Sequence, residues 1–243
     1  MSPRLTLVTA GRVLRQVRHD RRTIALLVLL PCLLLGLIAW MFDGTGVLDS
    51  FGPVLLGLFP MLVMFLITSV TMLRERQSGT LERLMTTPVG RGDLVGGYAL
   101  AFGVLAALQA VVLVAFAVGV CGMDVTGPLA AVLLVAVLDA VLGTALGLAA
   151  SALAHTEFQA VQLMPAVLLP QIIVCGAVMP RDQLPGVLEA LSVVLPLTYA
   201  VEAMQSLARE SALGTVWRDV AVIAGFIAAA VVVGATTLRR RTA

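Results

Sequence analysis

The sequence has no lysine and no asparagine, and the missing lysine excludes two kinds of chemistry. A phosphate-binding P-loop needs its lysine, so no standard one is expected here. Schiff-base chemistry is excluded for the same reason. Histidine is nearly absent: His19 and His155 lie far apart, neither has a metal-ligating neighbour, and no metal site is expected. The three cysteines, Cys32, Cys121 and Cys175, show no CxxC spacing. They lie in or beside apolar runs, where a thiol packs as a small hydrophobe. Charge is scarce too, at 12% of residues. A soluble domain carries about 25%. No polar stretch is long enough to fold as a separate soluble domain.

What fills the chain instead is apolar, at 60% of 243 residues. Runs of that kind cannot be solvated as a surface. The expected fold is an all-α polytopic membrane protein, a single transmembrane domain over residues 1–243. Six spans are expected at about 23–42, 51–73, 98–121, 128–153, 158–179 and 217–238. Pro31 falls in the first, and Pro165 and Pro170 fall in the fifth. Asp43-Gly44-Thr45-Gly46 marks a tight turn, and Ala154-His155-Thr156-Glu157 a short polar one. The first apolar run begins only at Thr23 and lacks a small-residue cleavage site, so a cleaved signal peptide is not expected.

All 16 basic residues are arginine, and their placement sets an orientation. Six lie in residues 1–22, four in 74–91 and three in the tail, against Arg181, Arg209 and Arg218 on the other side. Thirteen against three is a positive-inside pattern, with both termini in the cytoplasm. Leu7, Gly11, Val13, Leu14 and Val17 recur at roughly helical spacing, with arginines opposite. An amphipathic helix lying on the anionic leaflet is expected over residues 1–22. The plainer alternative is a solvated basic tail.

The outer stretch 180–215 is apolar but broken by Pro185-Gly186 and Pro196. Two short helices, about 184–195 and 198–208, are expected to dip into the outer leaflet as a re-entrant hairpin. The alternative is a loop lying on the surface.

The longest polar interruption is residues 74–89. Gly79 breaks a helix. Thr80 can cap the next one, and Glu82 lies in its first turn, where the helix dipole favours a carboxylate. Leu81, Leu84 and Met85 form one apolar face. Pro88 ends the segment. A helix of under two turns is not stable alone and needs a surface to dock on. Packing against its own spans is the simpler alternative.

These residues carry a resemblance. Arg74-Glu75-Arg76-Gln77-Ser78-Gly79-Thr80-Leu81-Glu82-Arg83-Leu84, with Thr87-Pro88, closely resembles the signature of the ABC (ATP-binding cassette) type 2 permease family. These are membrane subunits of drug, antibiotic-resistance and polysaccharide exporters. A second match runs from Cys175-Gly176-Ala177-Val178-Met179-Pro180 through Leu184-Pro185 to Pro196-Leu197-Thr198-Tyr199-Ala200-Val201-Glu202-Ala203. A weaker third is the Arg21-Arg22 to Pro31 entry into the first span.

The resemblance implies a six-span subunit of a bacterial cytoplasmic membrane. It would pair with a second permease subunit, as a homo- or heterodimer, and sit on two copies of a cytoplasmic ABC ATPase. ATP-Mg would bind that partner; this chain would bind no cofactor and would not itself be an enzyme. Membrane lipids would surround it, and no nucleic acid is implied. By position, Glu75, Gly79, Thr80, Glu82 and Pro88, with Leu81 and Leu84 on the apolar face, would couple to the ATPase. His155 and Glu157, within 151–159, would form a second cytoplasmic contact. Gly97-Tyr98 departs from the family's usual Gly-Lys; Tyr98 suits an interface anchor.

The expected function is the permease subunit of an ATP-driven exporter of a hydrophobic or amphipathic substrate. An exporter of lipid-linked glycan in the same family is an alternative. So is a proton-coupled secondary transporter using Asp139 and Glu157, which predicts several intramembrane acids or inverted repeats. One clear acid and no repeat are found. An intramembrane enzyme needs a nucleophile–base pair or metal ligands that the spans do not supply. Candidate path residues are Asp139, Pro180, Pro196, Tyr199 and Glu202. Asp139 is costly in a membrane; it either contacts a cationic substrate or couples protons, or it is a buried acid hydrogen-bonded within the dimer or near an interface. Glu202 either flanks the exit or pairs with Arg209. The Gly143-Thr144-Ala145-Leu146-Gly147 run has small-residue spacing for close helix packing.

Overall fold

The computed structural model describes residues 3–78, 91–209 and 213–240. Without water to bond to, backbone amides in hydrocarbon must pair within their own segment, and a helix does this. Among the described residues every regular element is helical. The α-helices are α1 (Pro3–His19), α2 (Arg21–Ile24), α3 (Leu30–Met41), α4 (Val47–Gln77) and α5 (Arg91–Gly119). They continue as α6 (Leu129–Leu153), α7 (Glu157–Val174), α8 (Gly186–Val194), α9 (Pro196–Arg209) and α10 (Gly214–Arg240).

Five helices are long and apolar enough to cross a membrane, within Val47–Gln77, Gly96–Gly119, Leu129–Leu153, Glu157–Val174 and Gly214–Val231. The pair α8–α9 is bent by 92° at Leu195; it makes a sixth crossing if taken as one broken span, and a re-entrant loop if its limbs are taken separately. Neither limb is long enough to cross alone, which is the geometry of the expected hairpin.

The expected first span is helical but not uniform. A π-helical turn, Ala25–Leu29, joins α2 to α3. Pro31 lies just inside α3. It has no N–H and crowds the carbonyl four residues back. The wider turn absorbs this, and the Leu30 N–H reaches the Ala25 carbonyl instead. The apolar stretch Ala25–Met41 spans about 26 Å at 1.5 Å per residue, slightly under a ~30 Å hydrocarbon core.

Several boundaries move from those expected; the helix of the third expected span, α5, for instance, begins at Arg91 rather than 98. Helix α4 runs for 31 residues, about 46 Å, and overshoots the core by about 16 Å. The fifth span stops at Val174 rather than 179, because Gly176 takes a left-handed backbone at φ +86°. The Asp43–Gly46 turn forms as expected, with Gly44 and Gly46 both at φ +71°.

The centre of the bundle is the α4–α6 pair. Gly143 and Gly147 let the two backbones touch. A Cβ on Gly143 would lie 2.2 Å from the Met61 carbonyl oxygen, and one on Gly147 would lie 2.5 Å from that of Phe65. The small-residue run therefore serves close packing. Helices α5, α9 and α10 close around this pair.

Helix α1 packs against the bundle. Its Thr9, Ala10, Val13 and Val17 are buried, and it packs along α5. Gly97 allows the approach, since a Cβ there would meet the Thr9 side chain at 2.6 Å. Leu7 and Val8 stay exposed on the face that remains free.

The bundle has two distinct ends. At one, α1, the end of α4 and the α6–α7 connection come together. At the other, the Gly127 N–H donates to the Leu207 carbonyl at 2.8 Å, and the Asp124 N–H to Asp49 at 3.2 Å.

Candidate functional site

Successive residues on a helix point about 100° apart, so four in a row face four directions. Arg74, Glu75, Arg76 and Gln77 close α4, and each reaches a different neighbour. Arg74 donates to Glu157 through Nε at 2.7 Å and Nη2 at 2.9 Å, and its Nη1 lies 3.6 Å from Asp20. Arg76 donates to the Ser151 carbonyl at 3.1 Å, and Gln77 to the His155 carbonyl at 2.8 Å. Glu75 turns inward and is 3% exposed.

Glu75 forms a three-part cluster. The Tyr98 hydroxyl donates to its Oε2 at 2.9 Å, while Arg12 Nη2 lies 3.4 Å from the same oxygen and donates to the Tyr98 oxygen at 2.6 Å. The Arg12 guanidinium also sits 5.8 Å from the Tyr98 ring centroid. A buried carboxylate without such partners is strongly unfavourable. The Arg74–Glu157 pair is bidentate but half exposed, and contributes about 0–1 kcal/mol. The Glu75 cluster is the stronger tie.

Of the expected coupling residues, Glu75 is thus placed. Gly79, Thr80, Leu81, Glu82, Leu84 and Pro88 lie outside the described residues. Just before them, the Ser78 N–H closes α4 on the Arg74 carbonyl at 2.9 Å. His155 takes part through its backbone: its carbonyl accepts from Gln77, and its N–H donates to Gln159 Oε1 at 2.8 Å. Glu157 takes part through its carboxylate, in the first turn of α7 beside the Thr156 cap. Residues 74–77 and 155–157 therefore share one surface.

The expected path residues are not gathered in one place. Asp139 is fully buried between α4 and α6. Its Oδ2 accepts from the Met61 N–H at 3.0 Å. Pro60 has no N–H and disturbs the hydrogen-bond ladder of α4, and Asp139 serves the next amide along. The acid is thus hydrogen-bonded to the backbone of α4 within the same chain. Asp139→Asn, which keeps an acceptor, is expected to stay within about 1 kcal/mol of wild type. Asp139→Leu is expected to lose about 1–3 kcal/mol. Thermal unfolding in detergent separates the two.

Pro180 precedes a 3-10 turn, Arg181–Gln183. Pro196 opens α9, where Gln171 Oε1 accepts from the Leu197 N–H at 3.3 Å. Tyr199 ties the bend of the hairpin, donating to the Val193 carbonyl at 2.8 Å. Glu202 pairs with Arg181 and not with Arg209. The sequence alternative failed because Arg209 lies seven residues on, about two turns along the same helix, while Arg181 is brought in by the loop. Of these residues, Glu202 lines the polar cavity between α9 and α10.

Arg12 and Tyr98 were not recognised as a functional pair from sequence. The one signal was the tyrosine standing where the family commonly has lysine. A lysine would bring a donor and a charge together; here Tyr98 brings the donor and Arg12 the charge.

An all-helical bundle with five to six helices able to cross a bilayer defines a multi-pass membrane protein. The chain matches the ABC-2 type transporter family over residues 4–208 and belongs to it. It is 33% identical over 141 residues to ABC transporter G family member 20 of Dictyostelium discoideum, covering 58% of this chain and 19% of that protein. It is 27% identical over 143 residues to the probable multidrug ABC transporter permease YbhS of Escherichia coli K12, covering 58% and 38%. Against YbhR of the same strain it is 24% identical over 168 residues, covering 69% and 46%. The matched parts thus span from about a fifth to under half of these relatives.

Proposed function

We propose that this chain is the membrane permease subunit of an ATP-driven exporter, moving a hydrophobic or amphipathic substrate outward. ATP-Mg is bound and hydrolysed by a separate cytoplasmic ATPase, present in two copies beneath a pair of permease subunits. The ATPase meets residues 79–88, with Gly79, Thr80, Leu81, Glu82, Leu84 and Pro88 at the contact, and the His155–Glu157 turn beside it. The arginine excess supports a cytoplasmic location for this end and for both termini, in a bacterial inner membrane. The names of the Escherichia coli relatives support efflux of drug-like compounds.

One observation carries the reading. The segment that would dock follows directly on four residues tied to α1, α5 and the α6–α7 connection. A push there is delivered to the whole bundle rather than to a loose loop. The test is co-purification with the ATPase, followed by ATPase and transport assays in lipid vesicles. Glu82→Arg with Leu84→Asp is expected to weaken assembly at least about tenfold and to abolish coupled transport. Intact assembly and transport in this variant sinks the coupling role.

A further inference from the structure

At the end opposite the Glu75 cluster, a polar cavity of about 480 Å³ opens between α9 and α10. That is the size of a small-ligand site. Its walls include Arg181, Glu202, Arg209, Thr215, Arg218 and Asp219. Arg181 and Glu202 neutralise each other, and Arg181 also donates to Ser192 at 3.0 Å. Of the rest, Arg218 forms an ion pair with Asp219, and Arg209 lies beside them. Among the described residues Arg209 has no carboxylate partner. The Asp219 side chain is only 4% exposed, yet its Oδ1 accepts no hydrogen bond; the nearest cation is Arg218 Nε at 3.4 Å.

Each leftover asks for a different complement. A buried carboxylate oxygen without a donor is unfavourable, and an N–H of a cationic group satisfies it best. An exposed guanidinium pair suits a phosphate. Beside the cavity, α8 is held to Arg181 through Ser192 and presents Val187, Val193 and Val194 outward. Those side chains give an apolar surface next to the polar one.

We infer that this cavity binds the headgroup of an amphiphile bearing both a phosphate and a primary ammonium. The phosphate lies on Arg209 and Arg218, and the ammonium lies against the Asp219 carboxylate in the cavity wall. The acyl chains lie along α8. This deepens the export reading by giving the outer end a substrate class, but the binding itself requires neither ATP nor the ATPase.

The test is native mass spectrometry of the purified chain with phosphatidylethanolamine, phosphatidylcholine and phosphatidylglycerol in equal amounts. Phosphatidylcholine has a cation but no N–H, and phosphatidylglycerol has no cation. Wild type is expected to retain phosphatidylethanolamine about tenfold over both. Asp219→Asn is expected to bring it level with phosphatidylcholine. Arg209→Gln, at an exposed position that does not threaten folding, is expected to lower retention of all three lipids several-fold. Soluble glycerophosphoethanolamine is added in a second arm. Displacement of lipid means the headgroup alone is recognised; no displacement with the preference intact assigns the ligand to the membrane. Equal retention of phosphatidylethanolamine and phosphatidylcholine by wild type overturns the inference. So does unchanged retention in Arg209→Gln, or an unchanged preference in folded Asp219→Asn. Because no ATPase is present, loss of coupling in the earlier test leaves this result untouched, and the reverse holds as well.

Discussion

Gly143→Leu is expected to eliminate folded protein from membrane extracts. The contact is with backbone, and that is why the effect is large. A Cβ at position 143 falls 2.2 Å from the Met61 carbonyl oxygen, well inside van der Waals contact. A side chain in the way can turn aside; a helix backbone can only retreat as a whole. Retreat of α4 from α6 also pulls Met61 away from Asp139, whose carboxylate then loses its hydrogen bond. Overpacking of this kind costs about 3 kcal/mol or more. Gly147→Leu, 2.5 Å from the Phe65 oxygen, is expected to behave alike. Gly103→Ala is the control, since nothing lies within 4 Å of its added Cβ. Size-exclusion profiles of fluorescently tagged variants give the comparison. A monodisperse Gly143→Leu peak at wild-type yield means that the α4–α6 contact is not as close as described.

Arg12→Met is expected to cost about 2–4 kcal/mol, below the full penalty for a broken buried pair because Arg12 is one-third exposed and Tyr98 still bonds Glu75. The decisive measurement is the double variant. With Glu75→Gln added, the uncompensated charge is gone, and most of the lost stability is expected to return. A cycle of the four proteins, followed by thermal unfolding in detergent, isolates the interaction. Strict additivity of the two single changes refutes the pairing. Tyr98→Phe removes one hydroxyl from the same cluster and is expected to cost about 1–3 kcal/mol.

Much of the helix layout was legible because hydrocarbon imposes it locally. A run of apolar residues must be helical in lipid, and glycine or proline marks its ends, as at Gly44, Gly46 and Pro128. The hairpin at Pro196 was legible for the same reason. The roles of Gly143 and Gly147 followed from spacing, since residues four apart share one helix face. What was not legible is the pairing of polar side chains across the bundle. Arg12 and Glu75 are 63 positions apart, Arg12 and Tyr98 are 86, and Arg74 and Glu157 are 83. No periodicity links such residues, so Arg12 read as a topology signal and Tyr98 as an interface anchor. The early end of the fifth span was missed because residues 175–179 are apolar in composition, while the stop depends on one glycine dihedral. The cavity between α9 and α10 was hidden likewise: Arg181, Glu202 and Asp219 come from a loop and two different helices.

The length of α4 has a mechanical meaning beyond spanning the bilayer. Pro60 divides it unequally, with 17 residues to Gln77 and 13 back to Val47. At 1.5 Å per residue the two arms are about 26 Å and 20 Å. A rotation of about 10° about that point carries the Gln77 end through about 4 Å and the Val47 end through about 3 Å the other way. Helix α4 is thus divided into unequal arms at Pro60, beside the buried Asp139, and any tilt about that point moves its Gln77 end further than its Val47 end.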